Sequence, residues 1–454
     1  MTTALLQRTS PDAGNTSGLS AQLAATPSTR NRAIDAYRAV AMCAVALGHW
    51  IAADVRMVNG SLSGANALDQ VRGLHILTWA FQVMPVFFCI GGYSNAASLD
   101  AHHRAGKENA SWVRARLLRL TTPSIWLAGT WLCVIVAGRF LGFSSLADKA
   151  VAVAAIPLWF LANYVADTAL SPITLRLYRA HGMRFVGVLI ALFAVGEAAR
   201  FPGIHFVPQI NIVLGWLLFQ MLGFAWKDGH LPSGARLVTF GAGSWTIAGL
   251  LVAFGPWPLA MVSVPGARFA NTWPPSLALM FYGFGLCSFA IAAAPRISVF
   301  LTKNAKAWKL VVVANTMSMT SYLWHFTALS IAAVILSRFN LLPTAIVGSG
   351  AWWLQKLPVM ALALIVLAGL VLVLAAKERN GLLGSGSAPA ASLVPSRLLA
   401  PKTVGLVTGL AGFVLAGGFE IWTAAGGKPM LAIPGMVAVL SVHFGLRWVN
   451  RYAA

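Results

Sequence analysis

Long, nearly uninterrupted apolar windows dominate the chain. Windows of about 20 apolar residues fall at 33–53, 74–98, 120–139, 150–170, 183–199, 207–226, 237–255, 274–294, 310–337, 351–376, 403–422 and 429–447. Each is close to the length a helix needs to cross a hydrocarbon layer ~30 Å thick. They are too long and too uniformly apolar for alternating barrel strands, and lipid offers no water to an unpaired backbone, so helices are the workable form. The pattern predicts an all-α polytopic membrane bundle of about twelve spans.

Polar segments punctuate that pattern. Residues 1–30 are rich in Ser, Thr, Ala and Gly, with no charged stretch feeding an apolar one, and read as a disordered cytoplasmic tail rather than a signal peptide. A Gly/Ser/Pro/Ala stretch at 381–402 reads as a cytoplasmic linker. It separates a membrane core at 31–380, about ten spans, from two additional transmembrane helices in 403–454.

Composition excludes a soluble domain, since 58% of the 454 residues are hydrophobic and only 10% are charged. The 33 basic against 12 acidic residues raise the question of nucleic acid. Placement answers it: Arg30 and Arg32, then Arg104 to Arg119, Arg176 to Arg184, Lys227 and Arg236, Lys303 to Lys309, and Lys377 to Lys402 fall on alternate loops. This is a topogenic pattern, which points away from a nucleic-acid partner. It predicts a multi-pass protein of the plasma (inner) membrane with both termini cytoplasmic. Cys43, Cys89, Cys133 and Cys287 all lie in apolar windows without CxxC spacing and read as small buried hydrophobes. Nucleotide-loop, zinc-peptidase and nucleophile-elbow motifs are absent, and no cluster has metal-ligand spacing.

The first window holds the most unusual chemistry. RAIDAYRAVAMCAVALGHW, residues 32–50, carries Asp35 and Arg38 near one end and His49 near the other. Such groups cost about 2.5–3.5 kcal/mol each at a membrane helix centre unless paired or functional. Arg38 and His49 are eleven residues apart, so they share nearly one helix stripe about 16 Å apart along the axis and are expected to face one cavity at two depths. Asp35 is one turn before Arg38 and is its expected ion-pair partner.

Arg, ten residues, then His in a first helix resembles the integral-membrane acyltransferase family 3. The resemblance continues in MPVFFCIGGYSNA (84–96) and RARLLRLTTPSIW (114–126), with weaker similarity in PLWFLANYV (157–165) and SMTSYLWHF (318–326). It covers the first ten spans, and LLFQMLGFAWKDG (217–229) adds a similarity to the actinobacterial branch, whose acceptors are envelope glycolipids. The resemblance implies transfer of an acyl group, acetyl or another short one, from cytoplasmic acyl-CoA to a hydroxyl of an extracytoplasmic glycan or glycolipid. Acyl-CoA enters as a substrate, and no permanently bound cofactor is implied.

Acyl transfer to an alcohol needs a base, an oxyanion stabiliser and a route between the two substrates. His49 is the candidate general base, because a reference pKa of about 6.5 suits proton transfer near neutrality. His325, expected at a similar depth, is a second candidate proton carrier, with Tyr322 and Ser321 one turn away as oxyanion donors or imidazole orienters. Joining helices is the plainer role for all three. Arg38 is the candidate for a CoA phosphate or the thioester carbonyl, and Arg114, Arg116 and Arg119 would meet the same phosphates. Glu197, Arg200 and Trp159 are candidate acceptor contacts, although an interfacial ion pair and an aromatic belt would look the same. His75, His205 and His443 have no assignable partner. A proton-coupled transporter or flippase of a lipid-linked saccharide, relaying through Asp35, Arg38, His49 and His325, is the competing reading. It lacks the internal repeat that such proteins show, and a purely structural membrane partner suits a charged first helix poorly.

Overall fold

The computed structural model describes residues 30–204, 206–264, 269–383, 408, 410–412, 414–419 and 429–452. The helices are α1 (Arg32–Ala52), α2 (Met84–Arg104), α3 (Asn109–Leu141), α4 (Ser144–Ala155), α5 (Leu158–His181), α6 (Met183–Ala198), α7 (Asn211–Lys227), α8 (Ala235–Phe254), α9 (Leu277–Lys303), α10 (Ala305–Arg338), α11 (Gly350–Leu383) and α12 (Pro429–Tyr452). Eight helical stretches among the described residues are long and apolar enough to cross a membrane. α1 is not one of them, because Asp35, Arg38 and His49 dilute its apolar character, and α6 has only 16 residues. The all-α polytopic bundle is as expected.

Two windows differ in detail. Pro157 divides 150–170, ending α4 at Ala155 and letting α5 start at Leu158, because proline has no amide donor to continue the hydrogen-bond ladder. The window at 74–98 opens within the short turns at Arg72–Leu77 and Thr78–Phe81, which follow another at Ala67–Gln70, before α2 begins. Residues 1–29, most of the linker at 381–402 and half of the window at 403–422 lie outside the described residues. α12 matches the last window and packs on α3, where His443 Nδ1 is 2.8 Å from Thr121 Oγ1.

A feature the apolar pattern does not predict follows α1 directly. β1 (Ala53–Val58) and β2 (Ser61–Asn66) form an antiparallel hairpin pairing Ala53 with Asn66 and Val58 with Ser61. Asn59 and Gly60 turn it with φ of 49° and 74°, the left-handed pair that the Asn-Gly dipeptide favours in tight hairpins. Asp54 of β1 is bound by Arg56 at 2.8 and 2.9 Å and by Trp352 Nε1 of α11 at 3.0 Å, which ties the hairpin to the bundle. Burial pushes the Asp54 carboxyl up, and Arg56 with Trp352 more than reverses this, leaving it below the usual carboxylate range. This tie stabilises the fold at neutral pH and is lost as pH falls through the depressed value.

α1 packs on α10, α9 and α2, with Val40, Cys43 and Leu47 exposed along its other face. Asn31 caps it by accepting from Ala33 N, and Asn315 of α10 donates to Asp35 O at 2.7 Å. The end where α1 begins also collects Arg32, which donates to Leu301 O, and the Arg179, Lys227, Asp100 and Asp228 ion pairs joining α2, α5 and α7. The hairpin lies at the opposite end. α2 and α7 meet backbone to backbone: a Cβ on Gly92 would lie 2.3 Å from Gln220 O, and one on Gly223 would lie 2.0 Å from Cys89 O. Small residues permit such close helix approach in lipid. Cys89 and Cys287 are buried as expected, whereas Cys43 and Cys133 are exposed, because their helix faces point away from neighbouring helices.

Gly223→Val is therefore expected to abolish the monodisperse folded peak in size-exclusion chromatography, while Gly243→Val, with nothing within 4 Å of its added Cβ, leaves it unchanged.

Candidate active site

His49 occupies the last turn of α1, on the face toward α10. Its Nδ1 lies 2.9 Å from Nε2 of His325, with the rings within 6° of parallel. Trp50 Nε1 donates to His325 O at 3.0 Å, locking the two helices in register at this level. His325 is fully buried, and its Nδ1 lies 2.5 Å from Tyr322 O, one turn back on α10.

A carbonyl oxygen only accepts, so His325 Nδ1 carries the proton and, with both rings neutral, His325 Nε2 is an acceptor. The 2.9 Å contact then requires His49 Nδ1 to donate. His49 Nε2 is left unprotonated, with its lone pair free to accept a proton. Protonation there would place an imidazolium against an acceptor already aimed at its other nitrogen.

A cavity of about 1250 Å³ opens beside His49. Trp159 and Tyr322 also line it, whereas His325, Ser321 and Arg38 do not. The Tyr322 hydroxyl donates to Pro157 O at the break between α4 and α5. Tyr322 is thus held by two bonds, one from its hydroxyl and one in which its carbonyl accepts from His325 and orients that ring. Trp159 stands edge-on to Trp273 at 6.2 Å on the cavity wall.

Arg38 occupies a different compartment. It donates to Ser94 Oγ of α2 at 3.1 Å and is 3.4 Å from Asp35. The closer partner of Asp35 is Arg30, bound through two contacts of 2.7 and 2.9 Å, which the one-turn spacing of Asp35 and Arg38 does not suggest. Arg116 lies over the Trp112 ring and within electrostatic reach of Arg38, Arg119 and Tyr164. Tyr164 stacks on Phe160, which forms cavity wall and meets Tyr322, and Phe87 packs against both Phe160 and Tyr164. An aromatic layer therefore stands between the arginines and the cavity, so the shared stripe of Arg38 and His49 does not become one open chamber.

Three further candidates sit elsewhere. Arg114 is buried on the face of α3 that carries Leu117 and Thr121, where α12 packs, apart from the more open Arg116 and Arg119. Glu197 and Arg200 form a 3.0 Å pair with both side chains 7% exposed. Glu197 also accepts from Trp257 Nε1 and Leu277 N, and Arg200 donates to Ala270 O, so the pair fastens the segment between α8 and α9 and does not line the cavity. His75 and His443, without assignable partners in the sequence, meet Leu68 O and Thr121 at 2.8 Å each; His205 lies outside the described residues.

Sequence reasoning misses Lys356. This buried α11 lysine donates to Ile51 O at 2.5 Å and Ala53 O at 2.6 Å, and lies 4.1 Å from the centre of the Trp352 ring. It holds the carbonyls at the end of α1, immediately after His49. A lone cation after two tryptophans in an apolar window is the signal that could have found it.

A family model described as an acyltransferase domain, Acyl_transf_3, matches residues 31–377, most of the chain. The protein belongs to this acyltransferase family. The match begins one residue before α1 and ends inside α11, leaving α12 outside it. No curated protein and no solved structure matches the chain. The fold and the family together define a multi-pass membrane protein of an acyl-transferring class.

Replacing Lys356 with Met strands two buried carbonyls at about 1–3 kcal/mol each. A lower unfolding temperature in lipid and faster hydrogen exchange at residues 49–54 are expected, with residues at the start of α1 unaffected.

Proposed function

We propose that this protein transfers an acyl group, acetyl or another short one, from cytoplasmic acyl-CoA to a hydroxyl of an extracytoplasmic glycan or glycolipid, with His49 as general base. What supports the reading is the free Nε2 of His49 on the cavity wall, its other nitrogen committed to His325. The acceptor hydroxyl attacks the thioester carbonyl and gives its proton to His49 Nε2. The new C–O bond forms, the C–S bond breaks, and the proton passes to the departing CoA thiolate. His325 is a positioning residue that fixes the tautomer and receives the imidazolium's second N–H.

Basic loops at the Arg38 end favour a cytoplasmic location for that end and for both termini, with His49 toward the outer leaflet of the plasma membrane. Arg38, Arg116 and Arg119 are then the groups for CoA phosphates, where a guanidinium fork matches oxyanions. Their separation from His49 argues against oxyanion work. Arg114, buried on the far side of α3, is the weakest of the proposed phosphate contacts.

Labelled acyl-CoA and candidate acceptors supplied to protein in liposomes test this. His49→Ala is expected to lower transfer by at least about 10²-fold. His325→Gln, which keeps an acceptor for His49, should retain more kcat than His325→Ala with KM unchanged. Arg38→Ala should weaken acyl-CoA binding about tenfold, as loss of a charged hydrogen bond of ~1.5 kcal/mol would. Transfer surviving in His49→Ala would remove the base assignment, and saccharide movement without acylation would favour a proton-coupled transporter or flippase.

A further inference from the structure

Four carboxylates are buried among the described residues, and three of them are neutralised: Asp35 by Arg30, Asp54 by Arg56 and Glu197 by Arg200. Asp167 is the exception. It is 1% exposed, and neither of its carboxylate oxygens has a partner among the described residues. On α5 it lies nine residues after Leu158 and fourteen before His181, about 14 and 21 Å from the two helix ends. At that depth in a hydrocarbon layer ~30 Å thick, an ionisable group is retained for a partner or a function.

The neighbouring donors are committed elsewhere. Gln220 of α7 donates from Nε2 to Asp167 O at 3.1 Å and to Ser171 Oγ at 2.9 Å. Ser171 donates to Asp167 O at 2.8 Å, and Asn95 of α2 donates to Ser171 Oγ at 3.1 Å. A carbonyl only accepts, so the Gln220 amide cannot be turned round. Its Oε1 therefore stays buried without a donor, on the amide that binds the turn of α5 carrying Asp167. Thr168 Oγ1, on the next residue, is also unpartnered. The backbone contact of α2 with α7 falls at this same residue, where a Cβ on Gly92 would lie 2.3 Å from Gln220 O, so no larger side chain enters from α2 to supply a donor.

The result is a set of oxygens with one negative charge and no donor. Water supplies donors but not the balancing charge. A single proton satisfies one carboxylate oxygen and leaves the other open. A divalent ion calls for more carboxylates, and no group of three acidic, histidine or cysteine ligands occurs among the described residues. A small, hard, monovalent cation matches both the charge and the oxygens.

We propose that Asp167 and Gln220 Oε1 bind a sodium ion in the core of the bundle. The ion joins α5 to α7 and, through Ser171 and Asn95, to α2. Asn95 adjoins Ser94, which holds Arg38, and Asp167 is one turn from Tyr164 of the aromatic layer. Sodium thereby orders the wall between the two halves of the bundle, a role separate from the chemistry at His49.

The test titrates the full chain with sodium chloride against choline chloride at constant ionic strength. The unfolding temperature is expected to rise saturably with sodium. Hydrogen exchange that requires opening of the site, in α2 and α5, is expected to slow about a hundredfold at a sodium concentration a hundred times the dissociation constant, while α8 is unaffected. Asp167→Asn, which keeps the side-chain shape, should lose both responses. Radioactive sodium should bind the unaltered protein at one ion per chain, a readout that does not depend on how the variant folds. Equal unfolding temperatures in the two salts, no bound sodium, or a sodium response that persists in Asp167→Asn would each overturn the proposal. So would an infrared band of a protonated carboxylic acid that is present at saturating sodium and absent from Asp167→Asn, which would assign the site to a proton.

Discussion

A backbone carbonyl sets the chemistry of this site. Tyr322 O accepts from His325 Nδ1 at 2.5 Å, which turns His325 Nε2 into an acceptor, makes His49 Nδ1 a donor across 2.9 Å, and leaves His49 Nε2 bare. Much of the surrounding structure maintains that order. Tyr322 is fixed through its hydroxyl to Pro157 at the α4–α5 break, Trp50 pins α1 to α10, and Lys356 gathers the carbonyls where α1 ends. A fixed carbonyl cannot switch to donating, so the tautomer is a property of the fold and not of the occupant of the cavity.

The bundle is divided along the axis of α1 into two chemically distinct halves. One holds guanidinium groups with Ser94 and Asp35, and suits a polyanion; the other holds a bare imidazole beside a large apolar cavity. Phe87, Phe160, Tyr164 and Tyr322 stand between them. Any group passing from the arginine side to His49 must cross this aromatic layer.

The sequence made the membrane fold plain, because hydrophobic length is the strongest local signal and lipid admits only helices there. It also placed His325 at the depth of His49, since both positions follow from counting residues along spans. Spacing could not reveal what fills the gap between Arg38 and His49: azimuth and rise are fixed by the helix, but the aromatic layer comes from α2, α5 and α10. Arg30 displaced Arg38 as the close partner of Asp35 for a related reason, since Arg30 precedes α1 and folds back from outside helical geometry. Glu197 and Arg200 looked like exposed acceptor contacts, and the segment between α8 and α9, whose path no periodicity encodes, folds over them. A reading of apolar length misses both the hairpin and Lys356, although the Asn59–Gly60 dipeptide and a lone cation in an apolar window are the signals that carry them.

Nitrogen-15 NMR of histidine-labelled protein in lipid measures the protonation of each ring nitrogen. A neutral His49 protonated at Nδ1, with an unprotonated Nε2 and a scalar coupling from Nδ1 to His325 Nε2, is the predicted result. A His49 carrying its proton on Nε2, or lacking that coupling, would contradict the account.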